Sequence, residues 1–327
     1  MRVYLLDTTP PHLTSPPQGG EERRACKRRQ AREGNTGIWR GKLIERLLHI
    51  LRMIKFEHTI FALPLAYVGA IMGAKGWPSL HDALFILLAM IGARSSAMTF
   101  NRLVDLPFDR LNPRTKDREL VRGTLNRSAA TLFLVCSVAL FFLSAWALNP
   151  LCLYLSPIAL AIILGYSYTK RFTWLCHIFL GLSLALAPVG GYVAVTENIS
   201  LPAVLFAVGV LFWVAGFDVI YACQDVGFDR KMGLQSMPAK MGARKALQLS
   251  SFFHFLSALF FIIAGWMARM PWPYFASTAA VAVLLTIEHR IVSGGKLEKI
   301  DLAFFTVNSY VSVTLLAGVA LSVPLIP

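Results

Sequence analysis

From Phe56 onward the chain is a succession of long apolar runs separated by short polar breaks. Each run is about 17–25 residues long, the length a helix needs to cross the hydrocarbon core of a bilayer. Approximate cores are 56–74, 82–101, 128–148, 151–168, 174–195, 201–221, 246–268, 272–290 and 301–325. The pattern predicts an all-α membrane protein, a bundle of about nine transmembrane helices. The breaks themselves alternate in chemistry. Those after the first, third, fifth and seventh runs are short and nearly uncharged. The others carry the basic residues: Arg110, Arg114, Lys116, Arg118, Arg122 and Arg127 after the second, Lys170 and Arg171 after the fourth. Arg230, Lys231, Lys240, Arg244 and Lys245 follow the sixth, and Arg290, Lys296 and Lys299 the eighth. Basic loops stay in the cytoplasm, so the alternation predicts a cytoplasmic N-terminus and a C-terminus outside.

Composition agrees with this reading. The chain is 56% hydrophobic, only 15% of its residues are charged, and its mean hydropathy is +0.57. A soluble domain usually carries about 25% charged residues. The formal net charge of +14 is not a nucleic-acid signature here, because it lies in alternate loops and the N-terminal tail rather than on a compact basic module. No nucleic acid is expected as a partner; the lipid bilayer is. The five cysteines are scattered without a CxxC pair, so neither a disulfide scaffold nor a zinc site is indicated. Residues 1–40, rich in Pro, Gly and basic residues, read as a disordered tail or as sequence upstream of a later start such as Met53. Residues 41–55 have the spacing of an interfacial helix. The polytopic domain is taken as 56–327.

Five of the nine aspartates fall in two short clusters at predicted cytoplasmic ends of runs. The first holds Asn101, Asp105 and Asp109, the second Asp218, Tyr221, Asp225 and Asp229. Positions four apart on a helix share a face and lie roughly 6 Å apart along the axis. Each cluster is therefore expected to form one stripe, with Pro107 placed to kink or end the first helix between its aspartates. Carboxylates grouped at an apolar boundary repel one another and lose solvation, which calls for cationic compensation. Mg²⁺ takes oxygen ligands from a few carboxylates together with substrate phosphates. Two such stripes on facing helices suit a diphosphate held between metal ions and stabilised as it leaves. A single DxxxD at a helix end is usually a solvated face; two on one side, each followed by a basic loop, are not. An ion or solute transporter is the non-enzyme alternative, though its acids belong at mid-membrane.

At these residues the chain resembles the UbiA superfamily of intramembrane prenyltransferases, over essentially all of residues 45–325. The family's NxxxDxxxD motif is matched by Asn101, Asp105 and Asp109, and its DxxYxxxDxxxD motif by Asp218, Tyr221, Asp225 and Asp229. Asn112 to Leu120 looks like its RTxxRPL segment, Tyr166 to Arg171 like its YxxxK segment, and Gly233 to Pro238 like its GxxS-x-P segment. Two positions depart from the pattern. Arg102 stands where many members have an acid, and Arg118-Glu119-Leu120 lacks the proline.

The resemblance implies a central cavity at the cytoplasmic end of the bundle in a bacterial inner membrane. It assigns Asn101, Asp105, Asp109, Asp218, Asp225 and Asp229 to Mg²⁺–diphosphate binding, with Asp105, Asp109, Asp225 and Asp229 as metal ligands. Arg114, Arg118, Lys170 and Arg171 become phosphate partners, since guanidinium binds phosphate oxygens two at a time and Lys supplies a point charge. Tyr221 lines the pocket. The implied substrates are a polyprenyl diphosphate and an aromatic acid. The closest-looking subgroup prenylates 4-hydroxybenzoate on the route to ubiquinone. The stretch from Phe56 to Pro64 and Asn101-Arg102 also look like a subgroup that prenylates 1,4-dihydroxy-6-naphthoate in futalosine-route menaquinone synthesis. Haem as acceptor calls for placed histidines, and His58, His81, His177, His254 and His289 show no pairing along the chain.

Overall fold

A computed structural model of the chain describes residues 49–54, 59–292 and 306–326. Among these residues every regular element is a helix. They are α1 (Thr59–Ala74), α2 (Leu80–Asp109), the short α3 (Glu119–Arg122), α4 (Arg127–Leu148), α5 (Pro150–Thr169) and α6 (Cys176–Thr196). There follow α7 (Leu201–Ala222), α8 (Val226–Met232), α9 (Met237–Met241), α10 (Ala243–Met267), α11 (Trp272–Val292) and α12 (Asn308–Ser322). Eight spans among them are long and apolar enough to cross a membrane, with α7 and α8 counted as one, and α1 is a shorter apolar ninth. The predicted tail, most of the predicted interfacial helix and residues 301–305 of the last run lie outside the described residues. Residues 50–54 are described, and there Met53 and Ile54 are buried against Leu106, Leu120 and Leu125.

The helix starts follow local rules. Ser79, Asn126, Asn149, Ser200 and Ser236 each precede a helix and accept an N–H from its first turn. Those donors have no partner within the helix, so a side-chain oxygen at this position satisfies one of them. Pro150 occupies the first position of α5, where a missing N–H costs nothing.

Lipid is as apolar as leucine, so helices in a bilayer associate through close packing and buried hydrogen bonds instead of water exclusion. Both devices are present. Gly69 and Gly191 let α1 and α6 touch backbone to backbone: a Cβ on Gly69 would strike the Pro188 carbonyl, and one on Gly191 the Ala66 carbonyl. Helix α7 is the most enclosed, burying Phe206, Val210, Trp213 and Val214. Its Trp213 indole donates to Asn308 Oδ1 at 2.6 Å, and Asn308 Nδ2 donates to Glu288 Oε1 at 2.8 Å. His254 packs against Gly216 and lies 3.0 Å from His289. These contacts fasten α7 to α10, α11 and α12. They also correct the expectation of unpaired histidines: residues 35 apart in sequence meet because α10 and α11 are packed neighbours.

Candidate active site

Helices α2, α5, α6 and α7 surround a cavity of about 680 Å³. One end is polar, lined by Asn101, Asp105, Asp218 and Asp225 with Arg114, Arg118 and Lys170. Beyond it the walls are mostly apolar and reach Ile158, Gly190 and Ile199, which are exposed at the far end.

The first motif sits on α2, which does not end at Pro107 but continues through it to Asp109. A proline in the last turn removes one backbone hydrogen bond where few remain to be lost. Asn101 Nδ2 donates to Asp105 Oδ2 at 2.9 Å, the one-turn contact expected of a stripe. The second motif departs from a single stripe. It begins on α7, tightens into a 3₁₀ turn at Cys223–Asp225 and resumes on α8. Asp218 and Tyr221 therefore belong to α7, whereas Asp225 precedes α8 and Asp229 lies within it. Asp225 occupies the N-cap position but makes no side-chain cap. Its carboxylate is engaged elsewhere.

Each of four motif aspartates meets one basic residue. Arg114 grips Asp225 with Nε at 3.0 Å from Oδ1 and Nη2 at 2.6 Å from Oδ2, and gives Nη1 to the Tyr221 hydroxyl at 3.0 Å. Arg118 Nη1 reaches both oxygens of Asp109, at 2.6 and 2.5 Å. Lys170 Nζ lies 2.8 Å from Asp229 Oδ1, while Ser236 donates to the other oxygen at 2.9 Å. Arg171 is the loosest partner, 3.4 Å from Asp105, with its guanidinium over the Phe108 and Tyr168 rings. Asp109 and Asp229 are buried and do not line the cavity; Arg118 and Lys170, which do, stand between them and it. The pairing keeps the bases charged. Burial pulls the Arg114 pKa down, but its hydrogen bonds to Asp225 leave it above the usual arginine value. Burial likewise opposes the Lys170 charge, and Asp229 more than restores it, leaving Lys170 above the usual lysine value.

Asp218 is held differently. His177 Nδ1 lies 2.6 Å from Asp218 Oδ2, and its Nε2 faces the Met237 N–H at 3.3 Å. His177 thus receives a partner that its solitary place in the sequence did not disclose. Arg94 is the second residue missed by sequence reasoning. It lies on α2 about three turns before Asp105, lines the cavity, and leaves its buried Nε without a hydrogen bond. The signal was available: Arg94 is the one basic residue inside the predicted 82–101 core, and intramembrane charges are rarely idle.

The carboxylates are hard oxygen donors of the kind Mg²⁺ prefers, and three of them, Asp105, Asp218 and Asp225, face the cavity. The four bases they hold show that this end of the bundle needs positive charge to be stable. The residues therefore fit the ion. Among the described residues, however, no three acidic, His or Cys side chains converge into a ready-made metal cage.

Comparison with known proteins converges on one family. The chain is 28% identical over 280 residues to a 4-hydroxybenzoate octaprenyltransferase from Citrobacter koseri, covering 85% of this chain and 96% of that one. The corresponding enzyme of Salmonella newport is 27% identical over the same length. Among solved structures, a UbiA homolog from Aeropyrum pernix K1 superposes with a TM-score of 0.75 at 37% identity, covering 81% of this chain and 98% of the other. A UbiA homolog from Archaeoglobus fulgidus bound to GPP and Mg²⁺ shares the fold, with a TM-score of 0.64 at 21% identity, over 82% and 99% of the two chains. The profile of the UbiA prenyltransferase family matches residues 62–310, which takes in both aspartate motifs, and the chain belongs to that family.

Proposed function

We propose that this prenyltransferase transfers a polyprenyl chain from a polyprenyl diphosphate to 4-hydroxybenzoate, with Mg²⁺, at the cytoplasmic face of a bacterial inner membrane. The observation that carries this reading is one cavity with three chemistries in sequence: acid–base pairs at its mouth, Arg94 with its buried, unpartnered Nε within, and apolar walls beyond. Similarity to the octaprenyltransferases supports the acceptor, and the Mg²⁺–GPP complex of the Archaeoglobus homolog supports the metal and the donor class.

Asp105, Asp109, Asp225 and Asp229 would hold Mg²⁺. When bound, the ion supplies positive charge that stabilises the diphosphate as it departs. Arg114, Arg118, Lys170 and Arg171 bind the diphosphate oxygens, and Asn101 keeps Asp105 oriented. The prenyl tail lies along the apolar wall towards Ile158 and Gly190, and that wall excludes water from the electrophilic carbon. Arg94 binds the carboxylate of the acceptor, because a buried unpaired guanidinium N–H is costly until an anion meets it. The carbon–oxygen bond of the donor breaks, with its electron pair leaving on the diphosphate. A carbon beside the acceptor hydroxyl bonds to the prenyl group, and the ring then releases its proton.

The decisive assay uses membranes containing the full chain, a long prenyl diphosphate, and either 4-hydroxybenzoate or 1,4-dihydroxy-6-naphthoate, with Mg²⁺ or EDTA. Prenylated 4-hydroxybenzoate formed only with Mg²⁺, and lost in Asp105→Asn, is the expected result. Product from the naphthoate alone would move the enzyme to menaquinone synthesis. Product from neither, in folded protein, would sink both assignments.

A further inference from the structure

The four acid–base pairs follow a pattern beyond charge neutralisation. The loop after α2 supplies Arg118 to Asp109 of the first motif and Arg114 to Asp225 of the second. The loop after α5 supplies Arg171 to Asp105 of the first motif and Lys170 to Asp229 of the second. Each loop thus gives one base to each motif, and together they lace the two motifs across the cavity mouth. In three of the pairs the base is the outer partner: the side chains of Arg114, Arg118 and Lys170 are 23–33% exposed, whereas those of Asp109, Asp225 and Asp229 are at most 10% exposed. In the fourth, Arg171 at 34% and Asp105 at 30% are alike. Long basic side chains on loops move more easily than carboxylates on packed helices.

Four acids matched with four bases leave this cluster with no net charge. Metal ions arriving alone must displace the bases and strand several cations at an apolar boundary. A diphosphate arriving alone meets bases already committed to carboxylates. When both arrive, metal takes the acids and diphosphate takes the bases, so every charge keeps an opposite partner. Resting on the proposed reaction, we infer that Arg114, Arg118, Lys170 and Arg171 close the aspartates to metal until a diphosphate draws them away, so that metal and diphosphate each enable the other's binding. Such coupling is reciprocal by thermodynamic necessity. Its consequence is protective: the enzyme does not assemble its charged centre on metal alone.

The interlock makes an unusual prediction, that deleting a substrate-binding arginine tightens metal binding. Mn²⁺ serves as the probe, followed by electron paramagnetic resonance on the purified full chain in lipid nanodiscs without diphosphate. Arg114→Gln is expected to bind Mn²⁺ about tenfold more tightly than the wild type, a typical magnitude for coupling between sites. Adding Asp225→Asn to that variant should abolish the gain. Lys116→Gln, which removes the same charge from the same loop at an exposed position, should leave Mn²⁺ affinity unchanged. Should Arg114→Gln lose its thermal unfolding transition, Arg118→Gln makes the same test at Asp109. Equal affinity in wild type and variant, or an equal gain in Lys116→Gln, overturns the interlock while leaving Mg²⁺-dependent transfer standing. Failure of every form to bind Mn²⁺, even with geranyl diphosphate present, overturns the metal-dependent reaction and the interlock with it.

Discussion

Arg114 and Asp225, 111 residues apart in the chain, meet through two parallel hydrogen bonds of 3.0 and 2.6 Å. The fork joins the loop after α2 to the 3₁₀ turn that splits the second motif, and Asp225 gives up its capping role to make it. Lysine carries the same charge without the planar fork. Arg114→Lys is therefore expected to lower kcat/KM for the prenyl donor about 10- to 100-fold, chiefly through KM. Initial rates against donor concentration read this directly, and an unchanged KM would remove Arg114 from the diphosphate site.

Arg94 predicts a different split. Its role concerns the acceptor, so Arg94→Gln should raise KM for 4-hydroxybenzoate about 10- to 100-fold, the worth of one charged hydrogen bond. The donor KM should stay near the wild-type value. The methyl ester of the acceptor, which lacks the anion, provides the check. Wild type should discriminate strongly against the ester, and Arg94→Gln should discriminate little.

Two adjacent glycines on α6 should behave in opposite ways. A Cβ on Gly191 runs into the Ala66 carbonyl, backbone that cannot rotate aside, whereas one on Gly190 meets nothing within 4 Å. Gly191→Val is expected to destabilise the protein by about 1–3 kcal/mol by prising α1 from α6. Gly190→Val should change stability by less than about 0.5 kcal/mol. Thermal unfolding of the two variants in the same detergent distinguishes them.

Gly190 also lines the apolar end of the cavity. A large side chain there should obstruct a long tail and spare a short one. With Gly190→Phe, the rate ratio of octaprenyl to geranyl diphosphate is expected to fall about tenfold or more, since overpacking a filled site costs on the order of 1–3 kcal/mol. An unchanged ratio would place the tail elsewhere.

Lys170 sets a pH window. Its pKa is raised in the folded protein above the unfolded value of about 10.4. The stability it contributes is fully present below the unfolded value and is lost as pH rises through the higher folded one. The difference in unfolding temperature between wild type and Lys170→Met should therefore stay constant from about pH 7 to 10 and shrink at higher pH. A difference that already shrinks between pH 7 and 9 would show that Asp229 does not hold the ammonium.

Much of this was legible along the chain because the signals are local. The nine apolar runs are recognisable by length alone, and the caps at Ser79, Asn126, Asn149 and Ser200 mark where four of them begin as helices. The spacing of Asn101, Asp105 and Asp109 places them on one face, and α2 keeps that face through Pro107. The bend in the second motif was not legible. No glycine or proline lies within Cys223–Asp225, and the pull that accompanies it comes from Arg114 on another loop.

By itself, then, the sequence determined the membrane class, the succession of helices, the two acidic clusters and the basic loops beside them. These depend on spacing within a single segment, which repeats with the helix period whatever the rest of the chain does. Tertiary structure alone decided which base meets which acid, that His177 orients Asp218, and that Arg94 faces the cavity rather than lipid. Helical periodicity says which residues share a face. Only the packing of α2, α5, α6 and α7 against one another says what that face meets.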